Sequence, residues 1–124
     1  MANSLNWFEI PATDFQRAKR FYESILGAEI YEMQMGPNMM GFFPMGEDQK
    51  GVGGAIVAGD GYEPSDKGSL IYLNAQPDLS VALGKIAAAG GRVLTPKTLV
   101  REDIGYIALF IDTEGNKVAL HSMH

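Results

Sequence analysis

The chain contains no cysteine among its 124 residues. Disulfide bonds, thiolate catalysis and zinc sites with cysteine ligands are therefore excluded. Long apolar runs are missing as well, and none approaches the roughly 18 residues that a membrane-spanning helix needs. Residues 1–4 lack the basic and apolar character of a secretion signal. These absences lead us to expect a cytoplasmic protein that does not bind membranes.

Clusters of basic residues are also missing. The chain has ten lysines and arginines and fifteen acidic residues, which gives a formal net charge of −5. The basic residues are scattered along the chain. Proteins that bind nucleic acids usually carry a basic patch. The sequence therefore predicts no nucleic-acid partner. A chain of 124 residues suffices for one domain with a buried core and is too short for two independent domains.

What the chain does contain is one pattern that occurs twice. Residues 8–27 and residues 72–91 each read as a short apolar strand, a loop, a helix-capping aspartate, an amphipathic segment and a glycine stop. The capping residues are Asp14 and Asp78. Because each copy would be only marginally stable alone, we expect the copies to pack against each other, with a site in the space between them.

Alternating apolar residues between turns predict three further strands in each half. We expect strands at 5–10, 28–35, 39–45, 52–58, 70–74, 92–96, 106–111 and 117–122, turns at 36–38, 46–50 and 112–116, and a charged loop at 97–105. The predicted fold class is α+β, a single domain over 1–124 built from tandem βαβββ modules at 1–60 and 69–124 with a linker at 61–68. Each sheet has one helix for one face, so we expect a curved, barrel-like mixed sheet around a central cavity.

Three stretches of the chain carry the motifs of a known family: residues 14–27, residues 78–91 and residues 110–120. The first ends in Phe-Tyr-Glu-Ser-Ile-Leu-Gly, and the third contains the turn Asp-Thr-Glu-Gly-Asn. Together they resemble the vicinal oxygen chelate superfamily of glyoxalase I, bleomycin resistance proteins and extradiol dioxygenases. The resemblance covers essentially the whole chain and implies this superfamily's fold and a homodimer. It leaves the function open, because the fold hosts many chemistries.

Metal-dependent members of this superfamily hold a divalent cation with His, Gln or Glu side chains from the first and last strands of each half. Carried onto this chain, those positions fall on Trp7, on residues 53–55, on Leu70 or Ile71, and on Ala119. Side chains of these types do not ligate a hard cation. We therefore expect no cofactor, with a displaced divalent metal as the alternative.

Glu9 and His121 lie two residues beyond two of those positions, and strand alternation directs both toward the expected cavity. They are the candidate catalytic residues, because a carboxylate beside an imidazole transfers protons near neutral pH. The alternatives are that they bind a ligand, that they hold a displaced metal, or that they only hydrogen-bond each other or the backbone. Two ligands are too few for a tight metal site.

The candidate ligand-binding residues share an expected position on the cavity wall. They are Trp7, Tyr72, Met33, Met35, Met39 and Ala119. Five of the seven methionines fall between Met33 and Met45. Methionines fill irregular gaps in a core, or form a plastic apolar wall for a ligand.

Three hypotheses for the function follow. The first is a metal-free protein of the glyoxalase and bleomycin-resistance type that binds a small apolar or aromatic molecule between its modules. The second is a lyase, isomerase or ring-cleaving dioxygenase, metal-dependent or metal-free, that uses Glu9 and His121. The third is a subunit domain with a collapsed cavity. The expected partners are a small-molecule ligand and a second copy of the chain.

Overall fold

The computed structural model describes residues 3–45 and 50–124. None of the helices in these residues has the length and apolar character needed to cross a membrane. The elements in chain order are β1 (Trp7–Pro11), α1 (Phe15–Leu26), β2 (Tyr31–Met35), β3 (Asn38–Phe42), β4 (Gly53–Ala58), β5 (Tyr72–Asn74), α2 (Ser80–Leu83), β6 (Arg92–Arg101), β7 (Gly105–Ile111) and β8 (Lys117–Ser122).

The two modules have the same sheet topology. The strand order is β1-β4-β3-β2 in the first sheet and β5-β8-β7-β6 in the second. In each sheet the first and last strands are parallel neighbours, and the remaining neighbours are antiparallel. The repeat in the sequence is thus a repeat in the structure, and the α+β class with tandem βαβββ modules is confirmed. Within the described residues the two sheets are separate and do not close into one hydrogen-bonded barrel.

Helix α1 follows the sequence prediction closely. Asp14 caps its N-terminus by accepting a hydrogen bond from the Arg17 N–H. Gly27 ends it in the left-handed conformation, at a φ of 64°, which a residue without a side chain adopts easily. The apolar residues between these two ends recur at helical spacing and form the buried face: Phe15, Ala18, Phe21, Tyr22 and Ile25.

The hydrophobic core is shared by both modules, because α1 packs against each of them. The rings of Phe21 and Tyr22 lie 5.9 Å and 6.4 Å from the Phe110 ring of β7 in the second module. On its other side, α1 reaches the first sheet, where the Phe15 ring lies directly beside Gly41. Each large side chain buried in this way contributes about 1.5–3 kcal/mol. Apolar packing therefore holds the modules together.

A buried polar cluster joins the modules as well. We call it the clasp, and it consists of Tyr22, Asp112, Glu114 and Asn116. The Tyr22 hydroxyl donates to Asp112 Oδ2 at 2.6 Å. The Asn116 amide donates both to that same oxygen, at 3.0 Å, and to the Pro11 carbonyl of β1, at 2.7 Å. The predicted turn at 112–116 thus binds the first module directly.

Glu114 extends the clasp to the start of α1. Its Oε1 accepts hydrogen bonds from the N–H groups of Thr13 and Asp14, at 2.8 Å and 2.7 Å. Its Oε2 accepts from Arg17 Nε at 2.7 Å. Burial raises the pKa of this carboxyl, but the hydrogen bonds from Arg17, from the two N–H groups and from Thr113 together bring the pKa below its usual value. Glu114 is therefore held as a carboxylate at the positive end of α1.

Two predicted elements are wrong. The charged loop at 97–105 is largely strand, since β6 continues to Arg101. Its pairing with β7 shifts register, and such bulges let an edge strand accommodate a proline, here Pro96. The second helix is also shorter than expected, because α2 ends at Leu83 and hydrogen-bonded turns continue to Gly90. Gly84 follows α2 directly and disfavours helix propagation.

Other boundaries moved by a few residues. The strand predicted at 28–35 begins at Tyr31, and the strand predicted at 39–45 runs from Asn38 to Phe42. Most of the turn predicted at 46–50 lies outside the described residues. The capping role of Asp78 is present in a modified form, because its carboxylate accepts from the Ser80 N–H at 2.8 Å.

Tyr22→Phe tests the clasp. The substitution removes the hydroxyl that donates to Asp112 and keeps the ring, so we expect the free energy of unfolding to fall by about 1.5–3 kcal/mol, the range for a hydrogen bond to a charged group. Urea unfolding followed by circular dichroism measures the change. Tyr31→Phe is the matched control, because Tyr31 is 65% exposed. Equal midpoints for Tyr22→Phe and the control would contradict a stabilising clasp.

Candidate functional site

A crevice of about 840 Å³ lies between the two modules. One wall comes from β1, the start of β4 and the nearby residues 26–28 and 43–44, and the other comes from residues 69–74, which lead into and form β5. Apolar side chains predominate on both walls. The aromatic ones are Trp7, Phe8, Phe43 and Tyr72. The crevice occupies the space between the two copies of the repeat.

A pair of glycines on β4 positions two of these rings. A Cβ on Gly54 would overlap the Phe8 ring, and a Cβ on Gly53 would lie 3.3 Å from the Trp7 ring and 3.0 Å from the Met45 sulfur. Successive residues of a strand face opposite sides of the sheet. The glycine pair therefore lets Trp7 pack on one face of the first sheet and Phe8 on the other.

Glu9 is the most strongly connected polar side chain of the crevice. Trp7 Nε1 donates to its Oε2 at 3.3 Å, which places both side chains on the same face of β1, as the alternation predicted. The Tyr62 hydroxyl donates to its Oε1 at 3.0 Å. The hydrogen bond to Glu9 and the charge of Glu9 raise the pKa of the Tyr62 hydroxyl above its usual value.

Sequence reasoning missed Tyr62. It lies between β4 and β5, in a segment without the periodicity that marks a strand or a helix. The only signal was an aromatic residue among glycines and polar residues at 59–68. The connection between β4 and β5 thus supplies a hydrogen-bond donor to Glu9.

His121 has a different environment from Glu9. Its Nε2 lies 2.6 Å from the Ile104 carbonyl oxygen. A carbonyl only accepts, so Nε2 carries the proton and Nδ1 is the free base when the ring is neutral. His121 pairs with Asn74 and Ile107 in the second sheet and does not line the crevice.

The hypothesis that Glu9 and His121 hydrogen-bond each other is wrong. Within residues 3–45 and 50–124, no hydrogen bond or ion pair joins them, and each has another partner. The alternative of a hydrogen bond to the backbone holds for His121 alone. A catalytic role for either residue stays a prediction.

Tyr72 lies across the crevice from the first module. It begins β5 and is 52% exposed. Trp7, on the opposite wall, is 40% exposed. Of the candidate catalytic and ligand-binding residues, three line the crevice: Trp7, Glu9 and Tyr72.

The other candidate ligand-binding residues lie elsewhere. Met33 and Met35 are exposed on β2 at the far edge of the first sheet. Met39 packs against the hydrophobic core, which agrees with the interpretation of methionine as core filler. Ala119 is fully buried in β8. They are not among the described residues that line the crevice.

Residues 4–120 match the family model of the Glyoxalase/Bleomycin resistance protein/Dioxygenase superfamily. The chain belongs to this superfamily. No curated protein sequence matches it.

Solved structures show the same fold. Glyoxalase I from Zea mays has a TM-score of 0.70 and 18% identity, over 96% of this chain and 46% of the maize chain, so this chain spans less than half of that enzyme. A glyoxalase/bleomycin resistance protein from Albidiferax ferrireducens T118 has a TM-score of 0.67 and 18% identity, over 97% and 98% of the two chains. A glyoxalase/bleomycin resistance protein/dioxygenase family enzyme from Burkholderia phytofirmans PsJN has a TM-score of 0.68 and 15% identity, over 98% and 100%.

The internal symmetry of this superfamily member aligns its two modules residue by residue. In the first module, the Ala12 N–H donates to the Val57 carbonyl at 2.9 Å. In the second, the Ala75 N–H donates to the His121 carbonyl at 2.8 Å. Both bonds join the end of the module's first strand to its last strand. They are therefore equivalent, and residues at equal distances from them correspond.

This correspondence resolves the positions where metal-dependent members of the superfamily hold their cation. Counting back from the equivalent bonds matches Trp7 with Leu70 and so favours Leu70 over Ile71 as the expected third position. It also matches Ala55 with Ala119. The four positions that the resemblance implies then become Trp7, Ala55, Leu70 and Ala119, and an indole N–H is a donor only. This donor set does not fit a divalent metal bound in the superfamily's way. The described residues also contain no other group of three or more His, Asp and Glu side chains placed to hold an ion.

Glu9→Gln tests the hydrogen bond to Tyr62. The substitution removes the carboxylate charge, so the Tyr62 hydroxyl should titrate at a lower pH than in the unaltered protein. NMR of tyrosine labelled with ¹³C at Cζ, followed through the alkaline range, reports this pKa. Glu102→Gln removes a charge from an exposed residue and should leave the Tyr62 titration unchanged. An unchanged titration in Glu9→Gln would show that the contact does not form in solution.

Proposed function

We propose that this protein binds a small apolar or aromatic molecule in the crevice between its modules, without the usual metal of its superfamily. The crevice itself carries this proposal. Its volume of about 840 Å³ lies within the roughly 300–1,000 Å³ of typical ligand sites, and apolar walls with few polar groups are typical of them. An open crevice of this size also argues against a subunit domain with a collapsed cavity.

The side chains at the expected metal positions and the separate partners of Glu9 and His121 favour ligand binding over catalysis. None of the four positions Trp7, Ala55, Leu70 and Ala119 offers a metal ligand. Glu9 and His121 have separate hydrogen-bond partners, so the acid–imidazole pair that the enzymatic hypothesis relies on does not form. A lyase, isomerase or dioxygenase mechanism through these two side chains thus has less support than ligand binding.

Trp7 is the only tryptophan and lines the crevice, so its fluorescence should report occupancy. We expect 2-phenylethanol, a neutral aromatic probe, to change the Trp7 emission saturably. Binding should survive dialysis against EDTA, because the site uses no metal. Tyr72→Ala removes an aromatic wall and should weaken binding roughly three- to tenfold, since such ring contacts contribute about 0.5–1.5 kcal/mol.

Tyr31→Ala is the control for that experiment, because Tyr31 is exposed on β2 and outside the crevice. The affinity of this variant for 2-phenylethanol should equal that of the unaltered protein. Loss of binding after EDTA treatment would contradict a metal-free site. The absence of any saturable change would contradict a binding site in the crevice.

We further propose that two copies of the chain associate. The support lies in β2 and β6, each of which is an edge strand of its sheet in the described residues. Both expose apolar side chains: Tyr31, Met33 and Met35 on β2, and Val93, Leu94, Leu99 and Val100 on β6. Exposed apolar edge strands invite pairing with another chain unless they are covered.

Sedimentation velocity tests the association. We expect the mass of a homodimer at micromolar concentration, and a shift toward the monomer when Leu99→Lys or Met33→Lys places a charge on the edge that forms the interface. Lys67→Gln, on the exposed connection between β4 and β5, should keep the dimer. A monomer mass at every concentration would contradict the proposal.

A further inference from the structure

The described walls of the crevice carry a single charged side chain, and it is negative. Among the described residues that line it, Glu9 is the only Asp, Glu, Lys, Arg or His. The remaining polar groups belong to neutral side chains, such as Ser69, Tyr72 and Asn74. A ligand in this crevice therefore meets one negative charge and no compensating positive charge from the described walls.

The hydrogen-bond donors that the described protein supplies to Glu9 carry no charge. Both of its hydrogen bonds come from uncharged donors, the Trp7 indole and the Tyr62 hydroxyl. No lysine, arginine or histidine in residues 3–45 and 50–124 forms an ion pair with it. A carboxylate has about four acceptor positions, so two donors leave capacity for a further partner.

Aromatic surfaces adjoin this carboxylate. The hydrogen bond from Trp7 to Glu9 fixes the indole beside the acid, and Tyr72 lines the same crevice. Both rings are partly accessible, 40% for Trp7 and 52% for Tyr72. The faces of such rings attract ammonium groups as well as apolar surface.

We propose that the crevice selects small organic amines with an apolar body, and that Glu9 binds their ammonium group. This inference rests on the proposed function and adds the charge of the ligand to it. The ammonium gains an ion pair with Glu9 and contact with aromatic faces, while the apolar body covers the crevice walls. The Glu9 carboxylate repels a ligand that carries a carboxylate or phosphate instead.

Three probes with the same ring and different charges test the inference: 2-phenylethylamine, 2-phenylethanol and 3-phenylpropionate. Isothermal titration at low salt gives their affinities, and Trp7 fluorescence reports whether each enters the crevice. We expect the amine to bind most tightly, about tenfold more tightly than the carboxylate. Added sodium chloride should weaken binding of the amine and leave the affinity for the alcohol unchanged, because salt screens only the ion pair.

Glu9→Gln should abolish the preference for the amine and keep the affinity for the alcohol within about twofold. Glu102→Gln is the matched control, since it changes the net charge equally and lies outside the crevice. The inference would be overturned if 3-phenylpropionate bound as tightly as 2-phenylethylamine. It would also be overturned if Glu9→Gln kept the preference for the amine. If Glu9→Gln does not fold, a salt-independent amine affinity in the unaltered protein overturns it equally.

The two proposals fail in distinguishable ways. If the alcohol binds and the amine has no advantage, the crevice is a ligand site and only the charge preference is refuted. If none of the three probes binds, both proposals are refuted.

Discussion

The site depends on the way in which helix α1 and the turn at 112–116 hold the two modules together. The crevice has one wall from each module, so its width follows from their attachment. Glu114 binds the start of α1 with a side chain that is 0% exposed, and Tyr22 donates to Asp112 at 2.6 Å from the middle of the helix. A buried carboxylate is stable only when its hydrogen bonds are satisfied, and removing one partner of such a charge is strongly destabilising. The polar clasp therefore specifies one docking geometry, which apolar packing alone would not define.

The same repeat serves different purposes in its two copies. The equivalent hydrogen bonds at the ends of β1 and β5 match Glu9 with Tyr72 and Val57 with His121. Equivalent backbone positions thus carry unlike side chains. The first module has an acid where the second has a phenol, and an aliphatic residue where the second has an imidazole. Glu9 and His121 have separate partners: Glu9 accepts hydrogen bonds from Trp7 and Tyr62, and His121 donates to the Ile104 carbonyl. The fold supplies two matching walls, and substitutions within them supply the chemistry.

Local sequence predicted those features that are set by nearby residues. The caps at Asp14 and Gly27, the buried stripe of α1 and the tandem repeat were all readable, because each depends on residue types at short, regular spacings. The contacts of Glu9 and His121 were not. Tyr62 is 53 residues from Glu9, and Ile104 is 17 residues from His121. The extent of β6 was also missed, because Pro96 and four charged residues at 97–103 resemble a loop until β7 is placed beside them.

Glu9 occupies a position that a folding argument alone does not account for. A carboxylate that is partly withdrawn from water among apolar side chains loses hydration, and uncharged donors restore only part of it. Trp7 and Tyr62 provide such donors, and Gly53 and Gly54 provide the space in which the Trp7 and Phe8 rings pack against the strand. Several independent features of the chain therefore converge on one acid that forms no ion pair with the described protein. An apolar side chain at this point would pack against the crevice without that loss of hydration, and the ammonium ligand proposed above would offset the loss for the acid.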